Sequence, residues 1–174
     1  MFDRRVTRSF DSIDAAHLDR FAVAMVKTMP LRLTLGMVGT LGAGKTTLTQ
    51  HIAAAAGVDR EFVTSPTFSL RCTYQASVRG TSIMLHHMDA YRVADEDEFL
   101  ALGVEEHLES EFTWNLIEWA DRVSEVLPDD TLWLNIEPLP GQGDLESAPR
   151  RLTFASDAPS MLKTLSELEL QFES

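Results

Sequence analysis

Residues 33–47 read Leu-Thr-Leu-Gly-Met-Val-Gly-Thr-Leu-Gly-Ala-Gly-Lys-Thr-Thr, and no other stretch constrains the chain as strongly. An apolar run leads into Gly39-x-x-x-x-Gly44-Lys45-Thr46, the spacing of a phosphate-binding loop. Glycines at 39, 42 and 44 let the backbone turn its N–H groups onto phosphate oxygens. A helix starting at Lys45 adds the positive end of its dipole. In such a loop the lysine reaches the β/γ-phosphates and the following hydroxyl, here Thr46, ligates Mg²⁺. Average glycine usage produces this string by chance in on the order of one per cent of chains this long. Its surroundings agree with the motif. Leu31, Leu33, Leu35, Met37 and Val38 suit a buried parallel strand, and Leu48, Ile52 and the alanines at 53–56 suit a helix that stops at Gly57.

The chain of 174 residues is long enough for one domain with its own core, and we read residues 1–174 as a single unit. A net charge of −12 argues against unaided binding to nucleic acid, whose affinity rests on Lys and Arg meeting phosphates. The arginines are scattered, so any RNA in its biology is expected on another subunit. No apolar stretch is of membrane-spanning length, and the basic N-terminus lacks the apolar core of a signal peptide. One cysteine, Cys72, excludes an internal disulfide framework. Cytoplasm, with no membrane partner, is the expectation.

The rest of the chain alternates strands and helices. Residues 5–10 predict an edge strand, and Asp11 or Ser12 is expected to cap a helix over 14–28. Ser65-Pro66-Thr67 marks a loop. Residues 68–78 and 82–89 predict a hairpin turning at Arg79-Gly80. Short helices are expected at 95–102 and 105–110, strands at 113–119 and 131–136, and a loop over 137–149. A last strand at 150–155 and an amphipathic helix at 159–172 complete the order. The expected fold is a single-domain, three-layer α/β phosphate-loop NTPase, with a central mostly parallel sheet and helices on both faces.

A phosphate loop needs a carboxylate near Mg²⁺ and a group for the attacking water. Ligands in open α/β sheets sit beyond the carboxyl ends of the strands, where Asp89 and Glu118 each close an apolar run. A lone acid there is equally well a turn cap; two beside a phosphate loop favour function. His86 and His87 are adjacent in a strand, face opposite ways, and are read as ordinary half-buried histidines. Thr67 is open between a γ-phosphate sensor and a plain strand start. Trp114 reads as core, while Trp119 adjoins Glu118.

Four segments occur in order: Leu41-Gly-Ala-Gly-Lys-Thr-Thr-Leu, Val63-Thr-Ser-Pro-Thr-Phe-Ser-Leu, His87-Met-Asp-Ala-Tyr-Arg and Leu116-Ile-Glu-Trp-Ala-Asp-Arg. In this the chain resembles the TsaE (YjeE) family of small bacterial phosphate-loop ATPases, over roughly residues 12–136. The resemblance implies a role in making threonylcarbamoyladenosine in tRNA. It also implies action on a two-subunit threonylcarbamoyl-transferase complex (TsaB and TsaD type), with tRNA met only through that complex. It implies ATP and Mg²⁺ as ligands. Gly42, Ala43, Gly44, Lys45, Thr46 and Thr47 would hold the phosphates, with Thr46 and Glu118 at the metal. Asp89 would position water, so Lys45, Asp89 and Glu118 form the expected catalytic set. Thr67 would belong to a switch loop, and Trp119 and Asp121 would lie at the nucleotide.

Thr40 stands where the family usually has an aspartate, and the sequence from Glu137 onward matches no family motif. Two other readings are set beside the ATPase. A small-molecule or nucleotide kinase needs an acceptor pocket and an arginine-rich lid; Arg71, Arg79 and Arg92 leave that reading open, although the sequence shows no clustered lid segment. A nucleotide-gated binding module without turnover has the same sequence signature. The guanine-recognition motif Asn-Lys-x-Asp of a GTPase does not occur.

Overall fold

The apolar run before the phosphate loop forms a strand buried at five of its six positions, which requires cover on both faces. A computed structural model describes residues 6–66, 69–139 and 148–173 and shows how that cover arises. The elements are β1 (Val6–Ile13), α1 (Ala15–Thr28), β2 (Leu33–Val38), α2 (Lys45–Ala55), β3 (Arg71–Val78) and β4 (Thr81–Asp89). They continue with α3 (Glu96–Ala101), α4 (Glu105–Glu109), β5 (Thr113–Glu118), β6 (Leu132–Pro138), β7 (Arg150–Ser156) and α5 (Ser160–Glu173). Two 3₁₀ segments, Arg60–Phe62 and Ala120–Val126, link them.

Among the described residues, seven strands form one sheet in the order β1-β7-β6-β2-β5-β4-β3. Its four central strands, β6, β2, β5 and β4, run parallel. Antiparallel strands close both ends: β3 beside β4, and β7 then β1 beyond β6. The α/β sheet with a parallel centre is therefore present as the sequence implies. One face carries α1, α2 and α5 over a cluster that includes Phe21, Leu35, Ile52, Leu116 and Phe154. The other carries α3, α4 and residues 120–126 over Met88, Phe99, Ile117 and Trp133. Gly36 permits the second layer to lie close: a Cβ there would come within 3.0 Å of the Ala120 Cβ.

Three local expectations are corrected. Neither Asp11 nor Ser12 caps α1; the strand runs on to Ile13, and Asp14 Oδ1 accepts from the backbone N–H groups of Ala16 (2.9 Å) and His17 (3.1 Å). A register shift between Phe10 and Ile13, with Ser12 at φ 58°, prolongs β1 beyond its visible alternation. Strand β3 starts at Arg71 instead of residue 68, because Leu70 (φ 61°) turns back and donates its N–H to Pro66 O. Glu137 and Pro138 belong to β6, drawn into it by pairing with Arg151 and Arg150. The hairpin does turn at Arg79-Gly80, with φ positive at both residues (51° and 79°), matching the right-handed twist of its strands.

Candidate functional site

The chain leaves β2 at Val38 and must reverse into α2 within a few residues, which side-chain-bearing residues resist. Gly39 takes φ 154°, and a Cβ there would sit 2.5 Å from Ile136 O. Gly44 takes φ 105° at the entry of α2, which has no side-chain N-cap. The first N–H groups of α2 are therefore left for a ligand, as at other anion-binding helix starts. They border a cavity of about 590 Å³ lined by residues 41–48 of the loop and helix, together with Asp89, Tyr91, Glu118, Trp119 and Arg150.

Lys45 is only 4% exposed. Its Nζ donates to Gly39 O (2.7 Å) and Thr40 O (3.0 Å) and lies 3.8 Å from the centre of the Trp119 ring. Burial pushes its pKa below the usual lysine value, while the carboxylates of Glu118, Asp89 and Asp121 push it the other way. Trp119 reaches the lysine because it follows β5 in a left-handed conformation (φ 57°, ψ 37°) that redirects the chain. Its ring also meets Tyr91, centre to centre 4.9 Å.

Parallel pairing of β4 with β5 sets Asp89 directly beside Glu118, so the two strand-end acids fall together. Both are nearly buried, at 4% and 3% exposure. Thr46 Oγ1 donates to Glu118 at 2.8 Å from Oε1 and 2.9 Å from Oε2. Asp89 Oδ1 accepts from the Tyr91 N–H at 2.8 Å. A hydroxyl and a carboxylate in contact are the hard oxygen donors that Mg²⁺ takes beside phosphate and water, so the donor set fits that ion. Lys45, Thr46, Asp89, Glu118 and Trp119 are thus brought to one cavity.

The other expected site residues sort by position. Gly42, Ala43, Gly44 and Thr47 all line the cavity, Ala43 being the buried member of the four. Asp121 is exposed and acts on Lys45 through charge without lining the cavity. Thr67 lies outside the described residues, although Ser65 lines the cavity.

Two residues escaped the sequence reading. Arg150 opens β7 and donates from Nε to Ala43 O (3.1 Å) and from Nη1 to Ala148 O, bringing its guanidinium against the phosphate loop. Nothing local marks it, since an antiparallel strand from far along the chain delivers it. His87 is fully buried, not half-buried, with Nε2 2.7 Å from Glu118 Oε1. Its signal was present: two residues before Asp89 in a strand, it shares that acid's face. His86 points the opposite way, meets the ring of His107 of α4 at a tilt of 32° (4.2 Å between ring centres), and is 3% exposed.

A phosphate loop at the carboxyl end of a parallel sheet, with strand-end acids converging on its threonine, defines a phosphate-loop nucleotide-binding protein. The family model described as "Threonylcarbamoyl adenosine biosynthesis protein TsaE" matches residues 12–143. The chain belongs to the TsaE family. A relative from Bacillus subtilis (strain 168), named tRNA threonylcarbamoyladenosine biosynthesis protein TsaE, is 38% identical over 122 residues, covering 70% of this chain and 68% of the relative. A relative of the same name from Streptomyces coelicolor is 36% identical over 116 residues, covering 66% and 74%. The crystal structure of Bacillus subtilis YdiB superposes with a TM-score of 0.73 at 25% identity, covering 95% of each chain.

Proposed function

We propose that this protein binds Mg²⁺-ATP at the phosphate loop and hydrolyses it to ADP and phosphate. It does so as an accessory subunit in the formation of threonylcarbamoyladenosine in tRNA. The observation that carries the reading is the double contact of Thr46 with Glu118, which joins loop and strand end into one oxygen-donor pair beside Lys45. Family membership supplies the pathway. The partner is a threonylcarbamoyl-transferase complex of TsaB- and TsaD-type subunits, and tRNA is engaged through that complex, in the cytoplasm. Among the described residues no helix is long and apolar enough to cross a membrane.

Each residue has a task in this scheme. The N–H groups of residues 42–47 hold the phosphate oxygens. Lys45 leaves the carbonyls of Gly39 and Thr40 for the phosphate chain, and Trp119 beneath it limits water at its ammonium. Thr46 and Glu118 would hold Mg²⁺, which supplies neutralisation of charge on the β- and γ-phosphates. Asp89, beside Glu118, positions the attacking water. Thr67 belongs to the loop that senses the γ-phosphate, and Asp121 adds charge at the nucleotide's edge. Catalysis is then positioning and charge stabilisation, with a slow basal rate that partners raise. Titrating a fluorescent ATP analogue and measuring phosphate release, in wild type and Lys45→Ala, tests the reading. Loss of both in the variant is expected; unchanged binding and turnover would overturn it.

A further inference from the structure

The buried histidine behind the acid pair has no role in that scheme. His87 is 0% exposed, and its Nε2 lies 2.7 Å from Oε1 of Glu118, itself 3% exposed. Its other ring nitrogen, Nδ1, is buried with no hydrogen-bond partner among the described residues. A carboxylate oxygen can only accept, so Nε2–H is the donor in this contact. The contact comes from β4, beneath the sheet's end, and so does not depend on the loop. Thr46, in contrast, must redirect its oxygen when it becomes a ligand. With Oε1 held by His87, Thr46 is the one hydrogen-bond partner of Oε2 among the described residues.

We infer that His87 is a positioning residue for the metal carboxylate: it fixes the orientation of Glu118 through Oε1 and so sets the affinity of the site for Mg²⁺. The inference rests on the Mg²⁺-ATP reading above and deepens it. Partners behind a metal ligand commonly govern affinity in this way, and losing one costs about 10–100-fold.

The test titrates a fluorescent ATP analogue into the full chain, in EDTA and over a Mg²⁺ series, for wild type, His87→Leu, His87→Gln, Glu118→Gln and the double variant His87→Leu/Glu118→Gln. Metal-free binding is expected to stay within about two-fold across the His87 variants, while His87→Leu weakens the Mg²⁺ response about 10–100-fold. The amide of His87→Gln restores part of it, and in Glu118→Gln the leucine has no further effect, because the two residues act as one unit. Wild-type Mg²⁺ response in His87→Leu, or an additive loss in the double variant, overturns the inference alone. A wild-type protein that ignores Mg²⁺ overturns the Mg²⁺-ATP reading and the inference with it. Should the leucine variant misfold, ¹⁵N shifts of the wild-type ring decide: the Nε2–H tautomer agrees, and an Nδ1–H tautomer refutes.

Discussion

Removing the Glu118 carboxylate in two ways separates its structural from its chemical task. Glu118→Ala leaves a fully buried donor, His87 Nε2, and a half-buried one, Thr46 Oγ1, without their acceptor. The buried donor costs about 1–3 kcal/mol when orphaned, the Thr46 hydroxyl less because it borders the cavity and can meet water, and relief from burying a charge returns part of the sum. The net expectation is a loss of about 1–3 kcal/mol. For a chain of this size each kcal/mol shifts Tm by about 2–4 °C, so a fall on the order of 2–12 °C follows. Glu118→Gln is different. Its carbonyl oxygen still accepts from His87, and its amide donates to Thr46, whose hydroxyl can turn to accept. Its Tm is expected within a few degrees of wild type, while Mg²⁺-dependent phosphate release falls about 100-fold or more, because the charge is gone. Scanning calorimetry and a phosphate-release assay on the three proteins provide the data. An alanine variant as stable as wild type would deny Glu118 its structural task, and a glutamine variant with wild-type turnover would deny its charge a chemical one.

Other perturbations have equally definite outcomes. Gly39→Ala drives a methyl to 2.5 Å from Ile136 O, so the loop must shift; a loss of about 1–3 kcal/mol in urea unfolding and loss of ATP binding are expected. Arg150→Ala removes the guanidinium that holds Ala43 O, and a drop in ATP affinity of about ten-fold by titration calorimetry is expected, since a charged hydrogen bond is worth about 1.5–3 kcal/mol. Burial, His107 and Arg71 hold the His86 pKa down at about 4, against 6.5 unperturbed. The unfolded chain therefore binds more protons between those values, so stability contributed at neutral pH declines as pH falls from 6.5 to about 4, by at most about 3 kcal/mol. Urea unfolding at pH 4.5 and 7 should show that slope in wild type and a flatter one in His86→Gln. Lys45 stands 3.8 Å over the Trp119 ring, so ATP binding that draws the lysine away should change tryptophan emission, and Trp119→Phe should abolish the change.

The parts of this fold legible in the sequence are those dictated locally. The phosphate loop, β2 before it and α2 after it follow from glycine spacing and a run of apolar residues, and the Arg79-Gly80 hairpin from two residues able to take positive φ. The convergence of Asp89 and Glu118 was legible too, because parallel strands place their ends at one edge. What escaped depends on contacts distant in sequence. The bulge that carries β1 to Ile13 is set by pairing with β7, so the cap fell at Asp14. Arg150 reaches Ala43 across the antiparallel end of the sheet. His87 is fully buried, a degree of cover that strand alternation alone does not measure.

Under the proposed function the loop hydrolyses ATP and a partner complex uses this turnover. The decisive measurement is phosphate release with Mg²⁺, from the protein alone and then with the transferase subunits and tRNA. A slow basal rate, a marked rise with the complex, and loss of both in Lys45→Ala are expected. A rate that stays at background under every condition while ATP remains bound would contradict that function and favour a nucleotide-gated module without turnover.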